Sequence, residues 1–126
     1  MIEAFLVSEL GTIPALRGQI YPIAAPVGDL EPPFCIYTRT SGQVVRDLSG
    51  EPAFYTDTFR LDLHSPDTDE LAALAQAASD SLAKVNEDCG DLYVFSAYAD
   101  PGIMDGYDAS WEMYIRSLNY TVTYWR

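Results

Sequence analysis

The sequence predicts a single α+β domain: an antiparallel or mixed sheet of about four to five strands, one main helix packed on a face, and a short N-terminal helix. Three observations predict this class. A long apolar stripe at helical spacing occupies residues 67–86, strand-like patterns flank it on both sides, and the chain has 126 residues. Because domains commonly hold about 100–150 residues, we treat 1–126 as one domain.

The main helix is predicted over 67–86. Asp67 suits the N-cap position, and Glu70 stands three residues later, at capping-box spacing. The many alanines of this segment allow a helix to lie close to a sheet. Its apolar stripe consists of Leu71, Leu74, Ala75, Ala78, Leu82 and Val85. A shorter helix at the N-terminus is predicted from Ile2, Phe5, Leu6 and Leu10, which precede Gly11.

Strand composition recurs in several segments separated by turn-forming residues. The predicted strands cover 19–23, 34–41, 54–64, 92–98 and 110–125. Two other segments predict loops, because they are rich in glycine, proline and charged residues. Residues 42–52 are predicted as an extended hairpin loop, and residues 99–108 as a turn or mobile loop.

The last predicted strand has two apolar faces. Trp111, Met113 and Ile115 share one face. The other face carries Tyr114, Leu118, Tyr120, Val122 and Tyr124. A strand of this kind is either sandwiched between layers or lends one face to another subunit, and in so small a chain we favour the second explanation. We therefore expect an interface that includes Tyr114, Tyr120, Tyr124 and Trp125.

The charge of the chain excludes several functions. Seven basic residues face 19 acidic ones, which gives a formal net charge of −12. Such a chain repels phosphate backbones and anionic lipid headgroups, so we expect no nucleic-acid or membrane-surface binding. No segment approaches the roughly 20 apolar residues of a membrane span, and the start at Met1 has no pattern of an export signal.

Candidate catalytic residues are few. The single histidine, His64, lies near Asp62, Asp67 and Asp69, which suggests a metal site or a general base. The aspartates have a simpler role at a helix start, and no second histidine completes a metal-ligand set. Cys35 and Cys89 are expected to remain reduced and to serve packing. We therefore expect no enzyme activity, no metal and no cofactor.

Three short segments carry a resemblance to a known family. They are RGQIYP at 17–22, the turn PVG at 26–28, and PFCIYTRTSG at 33–42. In these segments, and in the order of its predicted elements, the chain resembles the small tail-completion proteins of long-tailed bacteriophages and prophages, the tail-to-head joining or tail terminator group. The resemblance extends over nearly the whole chain.

The resemblance implies a structural protein of the virion. Members of the tail-completion family form a ring, usually of six copies, that caps the tail tube and offers the surface to which the filled head attaches. The implied partners are further copies of the chain, the tail tube protein and a head-completion or connector protein, and DNA passes through the lumen without specific binding. The implied location is the virion, with the host cytoplasm during assembly. Another neck or connector protein, or a small ligand-binding α+β module of bacterial origin, remains the alternative.

Two hypotheses assign residues to these roles. Asp100, Asp105 and Asp108 are expected to line a lumen or an acidic loop, where like charge keeps DNA from sticking. Residues 42–51 of the predicted loop are expected to contact an adjoining ring or tube and to order on assembly. Its contact residues are Val44, Val45, Arg46, Asp47 and Leu48.

Overall fold

The computed structural model describes residues 2–16, 18–22, 32–90, 92–109 and 112–125, without the side chains of 101–104. The turn expected at 26–28 and the side chain of Trp111 lie outside these residues. The elements are α1 (Ile2–Leu10), a 3₁₀ turn (Pro14–Leu16), β1 (Ile20–Pro22), β2 (Phe34–Arg46), β3 (Pro52–Ser65), α2 (Thr68–Leu82), β4 (Lys84–Asp88), β5 (Tyr93–Asp108) and β6 (Met113–Trp125).

The described strands form one six-stranded sheet in the order β1-β2-β3-β6-β5-β4. The pair β1 and β2 is parallel, and the other neighbouring strands are antiparallel. The α+β class and the mixed sheet are therefore confirmed. The expected four to five strands were too few, because β4 lies where the sequence predicts the end of the main helix.

Both helices belong to the layer that covers one face of the sheet. Helix α2 packs on β3, β5 and β6, and α1 packs against α2. Alternation along the strands directs Leu61 of β3 and Leu118 of β6 into this layer, where both are fully buried. The helices contribute their predicted stripes to the same core: Ile2, Phe5, Leu6, Leu10, Leu71, Leu74, Ala75, Ala78 and Leu82.

Helix α2 begins at the predicted N-cap, but its capping box and its end differ from the prediction. Asp67 is the N-cap, and its carboxylate accepts a hydrogen bond from the Asp69 amide at 2.9 Å. Glu70 does not close a capping box with Asp67. Its Oε1 instead accepts from the Ser65 hydroxyl at 2.8 Å. The helix ends at Leu82, and Val85, predicted to belong to its stripe, lies in β4 with 76% of its surface exposed.

Both predicted loops are largely strands. Strand β2 continues to Arg46 and β3 begins at Pro52, so the turn between them covers only residues 47–51. Strand β5 runs through 99–108 and pairs with β6 down to Asp108, with an irregularity in register between Asp100 and Met104. Composition misled the prediction here, because glycine, proline and aspartate are depleted in strands but are tolerated where the pairing is irregular.

The helical layer covers one face of strand β6, and Met113 and Ser117 on the opposite face are also buried. Leu118, Tyr120, Val122 and Tyr124 all face the helical layer and are buried in the core. This finding corrects the assignment of Tyr120 and Tyr124 to an interface, since the chain itself covers both residues. The opposite face carries Thr121 and Thr123, and the latter lies with its hydroxyl 3.2 Å from that of Thr56 in β3.

A buried carboxylate joins three strands of this sheet. Asp57 of β3 is 1% exposed, and its two oxygens accept from Nη2 of Arg39 and from the hydroxyl of Tyr124, each at 2.6 Å. Arg39 belongs to β2 and Tyr124 to β6. Gly42 leaves the space for this cluster, because a Cβ atom there would lie 2.7 Å from Oδ1 of Asp57.

Two buried tyrosines of β6 allow a matched test of this cluster. Replacing Tyr124 by Phe removes a hydrogen bond to a buried carboxylate, so we expect the free energy of unfolding to fall by about 1.5–3 kcal/mol. Tyr120 is also fully buried, but its hydroxyl has no hydrogen-bond partner among the described residues. Tyr120→Phe should therefore leave stability unchanged or raise it by about 1 kcal/mol. Urea unfolding of both variants measures the difference, and equal losses would contradict the assignment.

Candidate assembly surfaces

The β2–β3 hairpin extends into a segment with little cover. We call residues 42–54 the hairpin arm. In β2 every residue from Arg39 to Arg46 is exposed, and so is the whole turn at 47–51. Val44 of the arm is 44% exposed and Val45 is 37% exposed, and Leu48 at the tip is fully exposed. Apolar side chains gathered on one protruding segment are typical of a contact surface.

The tip of the arm is ordered by one side chain. The Asp47 carboxylate accepts from the Ser49 hydroxyl at 2.6 Å and from the amides of Ser49 and Glu51 at 2.9 and 3.0 Å. Gly50 completes the turn in the left-handed region, at φ +89°. Arg46 donates from Nη1 to the Gly50 carbonyl at 2.9 Å. The tip is therefore organised within one copy and does not depend on assembly for its order.

The hydrogen bonds at the tip also set the acidity of Asp47. The Ser49 hydroxyl, assisted by the amides of Glu51, Ser49 and Gly50, holds the pKa of Asp47 below its ordinary value. A lowered pKa means that the ionised carboxylate is favoured in the folded state. The contribution of Asp47 to the turn is therefore present above the ordinary aspartate pKa, and it is lost as the pH falls through the lowered value.

The face of the sheet opposite the helices carries an aromatic cluster at the same end as the arm. We call Val45, Phe54, Tyr93, Phe95 and Trp125 the aromatic patch. The Phe95 ring lies edge-on to Phe54 and to Tyr93, at centroid distances of 6.2 and 5.1 Å. Tyr93 stands opposite Trp125 across the β5–β6 ladder. The patch thus spans four neighbouring strands, and no described helix packs on it.

A second pair of exposed aromatic residues lies near the other end of the β5–β6 hairpin. Tyr107 and Tyr114 meet edge-on at 5.0 Å, and they are 54% and 41% exposed. Beside them, the Asp105 carboxylate accepts from Nε of Arg116 at 2.9 Å. Asp108 is half-buried. Asp105 and Asp108 are therefore strand residues engaged with their neighbours rather than members of an acidic loop.

A groove of about 320 Å³ runs between α1 and the end of β4. Its apolar wall includes Phe5 and Leu92, and its acidic rim includes Glu87. The full lining is Ala4, Phe5, Ser8, Glu9, Glu87, Asp88, Cys89 and Leu92. Lys84 lies 3.4 Å from Glu9 and 3.7 Å from Glu87. The lining holds three carboxylates, and Lys84 pairs with two of them, so the α1–β4 groove keeps a negative balance.

The residues considered for catalysis occupy packing positions. His64 is buried and stacks on Phe34 at a centroid distance of 4.5 Å, and its Nδ1 lies 3.1 Å from the Asp62 carbonyl. Burial lowers the pKa of His64, which favours the neutral ring. Cys35 is a free, fully buried thiol whose pKa is raised by burial, and Cys89 is a free, half-buried thiol. Within the described residues no cluster of potential ligands could hold a metal ion.

The comparisons with known proteins identify a similar fold and no family. No protein-family model and no curated protein matches the sequence. A similar fold is found in a chain of the virion of a native gene transfer agent (GTA) particle, with a TM-score of 0.57 and 17% sequence identity. The match covers 96% of this chain and 84% of that chain. In the described part of this chain, moreover, no helix is long and apolar enough to cross a membrane.

The residues that the sequence predicts for an interface lie at several separate places in the structure. Val44, Val45, Arg46, Asp47 and Leu48 do lie together, on the hairpin arm. Trp125 joins Val45 through the aromatic patch, whereas Tyr114 lies in the separate pair with Tyr107. Phe54, Tyr93 and Phe95 were not singled out. The signal that could have found them is cross-strand register, which a single strand pattern does not contain.

The turn at the tip of the arm provides a pH test. In the folded protein Asp47 should titrate below about 3.9, the ordinary aspartate value, and Ser49→Ala should raise that pKa because it removes the strongest hydrogen bond. NMR titration of the Asp47 carboxyl carbon measures both. Ser41→Ala serves as the control, since this exposed β2 residue is remote from the turn. A wild-type Asp47 that titrates at the ordinary value would contradict the described turn.

Proposed function

We propose that the chain is a non-enzymatic virion assembly protein. It forms a ring at the head-proximal end of a phage tail, where it ends tube growth or joins the tail to the head. The observation that carries this proposal is the fold, which matches a chain of a gene transfer agent virion over 96% of this chain. The segments RGQIYP and PFCIYTRTSG, which resemble tail-completion proteins, lead to the same role.

The surface of the chain supports assembly more than catalysis. The hairpin arm and the aromatic patch expose apolar side chains on a rigid scaffold, and such surfaces mark protein contacts in soluble proteins. The three described grooves, at about 240 to 320 Å³, are small or marginal for a small-molecule site. These observations favour a protein partner over the alternative of a ligand-binding module.

The charge of the chain fits the passage of DNA. A ring of copies that each carry −12 repels the phosphate backbone, so DNA moves through the lumen without specific binding. Of the three aspartates assigned to the lumen, Asp100 is exposed and Asp105 is paired with Arg116. In this proposal the lumen wall includes the β5 strand at Asp100, with the acidic excess of the whole chain as background.

Electron microscopy of particles made without this gene tests the proposal. We expect filled heads without tails. Tubes of irregular or excessive length beside these heads would identify a tail terminator, because nothing would stop tube growth. Uniform tubes beside separate heads would identify a joining protein, or another neck or connector protein that acts at the head side.

Complementation provides the control for this experiment. Expression of the wild-type gene in trans should restore joined, infectious particles, which excludes effects on neighbouring genes. Normal infectious particles in the absence of the gene would overturn the virion role. A thermal-shift screen with small ligands would then test the alternative of a binding module.

A further inference from the structure

We propose that two copies of the chain pair face to face through the open face of the sheet, the face opposite the helices. The central part of this face, which we call the neutral window, is the contact surface. The contact goes beyond the proposed function, because a surface that meets itself closes after two copies and does not build a ring. The charge, the area and the symmetry of the window support this pairing.

The neutral window is a set of three neighbouring rows that cross β2, β3, β6 and β5. One row is the aromatic patch, in which Phe95 lies edge-on to Phe54 and Tyr93. The other two rows are formed by Gln43, Thr56, Thr123 and Ser96, and by Ser41, Thr58, Thr121 and Tyr98. Val85 of β4 stands opposite Ser96 and extends the window to a fifth strand. Residues that stand opposite each other in a ladder share a face, so these side chains form one continuous surface.

The window contains no charged side chain among these described residues, although charged residues make up 21% of the chain. Charges begin at its margin, where Arg60 and Asp100 flank Asn119 in the next row and Asp88 stands opposite Tyr93. Copies that each carry −12 repel one another where their carboxylates meet, and the window offers an approach without carboxylates. The same lack of carboxylates gives a basic partner no ion pair. The charge distribution therefore favours a second copy as the occupant.

The area of the window is sufficient for a dimer. Its large side chains keep 36–76% of their surface exposed, namely Val45, Val85, Tyr93, Phe95, Tyr98 and Trp125. Together they expose about 500 Å² in each copy, since a whole aromatic side chain spans about 150–250 Å². The hydroxyl and amide side chains of the other two rows bring the window close to the roughly 800 Å² per partner of a standard interface.

The window also complements itself in shape. Sheets pack face to face about 10 Å apart, with their strands nearly aligned. A twofold axis across the strands, through the middle row, places the aromatic patch of one copy over the row of Ser41 in the other. Trp125 then lies over Thr121 of the second copy, and Phe54 lies over Thr58 of the second copy. Large side chains thus meet small ones, which is the packing that a well-fitted interface needs.

The centre of the window is the place where the two copies approach each other symmetrically. Thr56 and Thr123 occupy the middle row on the two central strands, and their hydroxyls lie 3.2 Å apart. On the twofold axis each of these threonines faces the same residue of the second copy. A substitution at position 123 therefore places two identical side chains against each other.

Opposite charges at position 123 test the contact. Thr123→Lys places two like charges in the centre of the interface, and Thr123→Glu does the same with the other sign. Each variant should weaken dimerisation about tenfold or more in sedimentation experiments, because like charges that face each other cost several kcal/mol. An equimolar mixture of the two variants should recover dimers, since a lysine then faces a glutamate. A mixture that stays monomeric would overturn the face-to-face arrangement.

Matched variants on helix α2 control for net charge. Ala72→Lys and Ala72→Glu make the same charge changes on an exposed surface outside the window, and both should dimerise like the wild type. Circular dichroism establishes that each variant is folded. A wild type that stays monomeric at every concentration would overturn the proposal. Thr123 variants that dimerise as strongly as the wild type would do the same.

Chemical cross-linking measures the same contact by proximity. In the variant Thr123→Cys/Cys89→Ser, a short bismaleimide that spans about the 10 Å between packed sheets should join two copies through position 123. The remaining thiol, Cys35, is fully buried. The control Ala72→Cys/Cys89→Ser carries one exposed thiol on α2 and should give no covalent dimer. Equal yields of covalent dimer from positions 72 and 123 would contradict the contact.

Discussion

The buried carboxylate of Asp57 is the constraint on which the exposed half of this fold depends. A carboxylate in a protein interior costs several kcal/mol unless partners compensate it, and removal of the charged partner of a buried ion pair typically costs about 3–5 kcal/mol. Here the partners are Arg39 of β2 and Tyr124 of β6, so the charge is satisfied only when three strands keep their register. The cluster stands where β2 leaves the core and becomes exposed. It therefore fixes the hairpin arm to the rest of the sheet.

The same cluster explains a division of the sheet into two regions. On one side of Asp57 lie Phe59, Leu61 and Leu63, which are buried under the helices and supply stability through their apolar surface. On the other side β2 and β3 continue with little cover, and their order depends on the ladder, on Asp47 at the tip and on Asp57 at the base. Stability and presentation of a surface thus belong to different halves of the same two strands. This arrangement allows the tip to change its sequence without a change in the core.

The sequence patterns predicted the elements that bury one face in the core. They did not predict the elements without a buried face. Helix α2 and strand β3 carry clear periodic patterns, because one side of each packs in the core. The arm has no such pattern, since both of its faces are exposed, and its glycines and charges resemble those of a loop. Strand β4 was mistaken for helix because Val85 continues the helical spacing past Leu82, although its side chain is exposed.

The candidate site was predicted only in part, because a sequence pattern does not show which face of a strand is covered. Val45 and Trp125 were recognised, but the position of Tyr120 and Tyr124 under a helix depends on which face the helices cover, and a strand pattern does not contain that information.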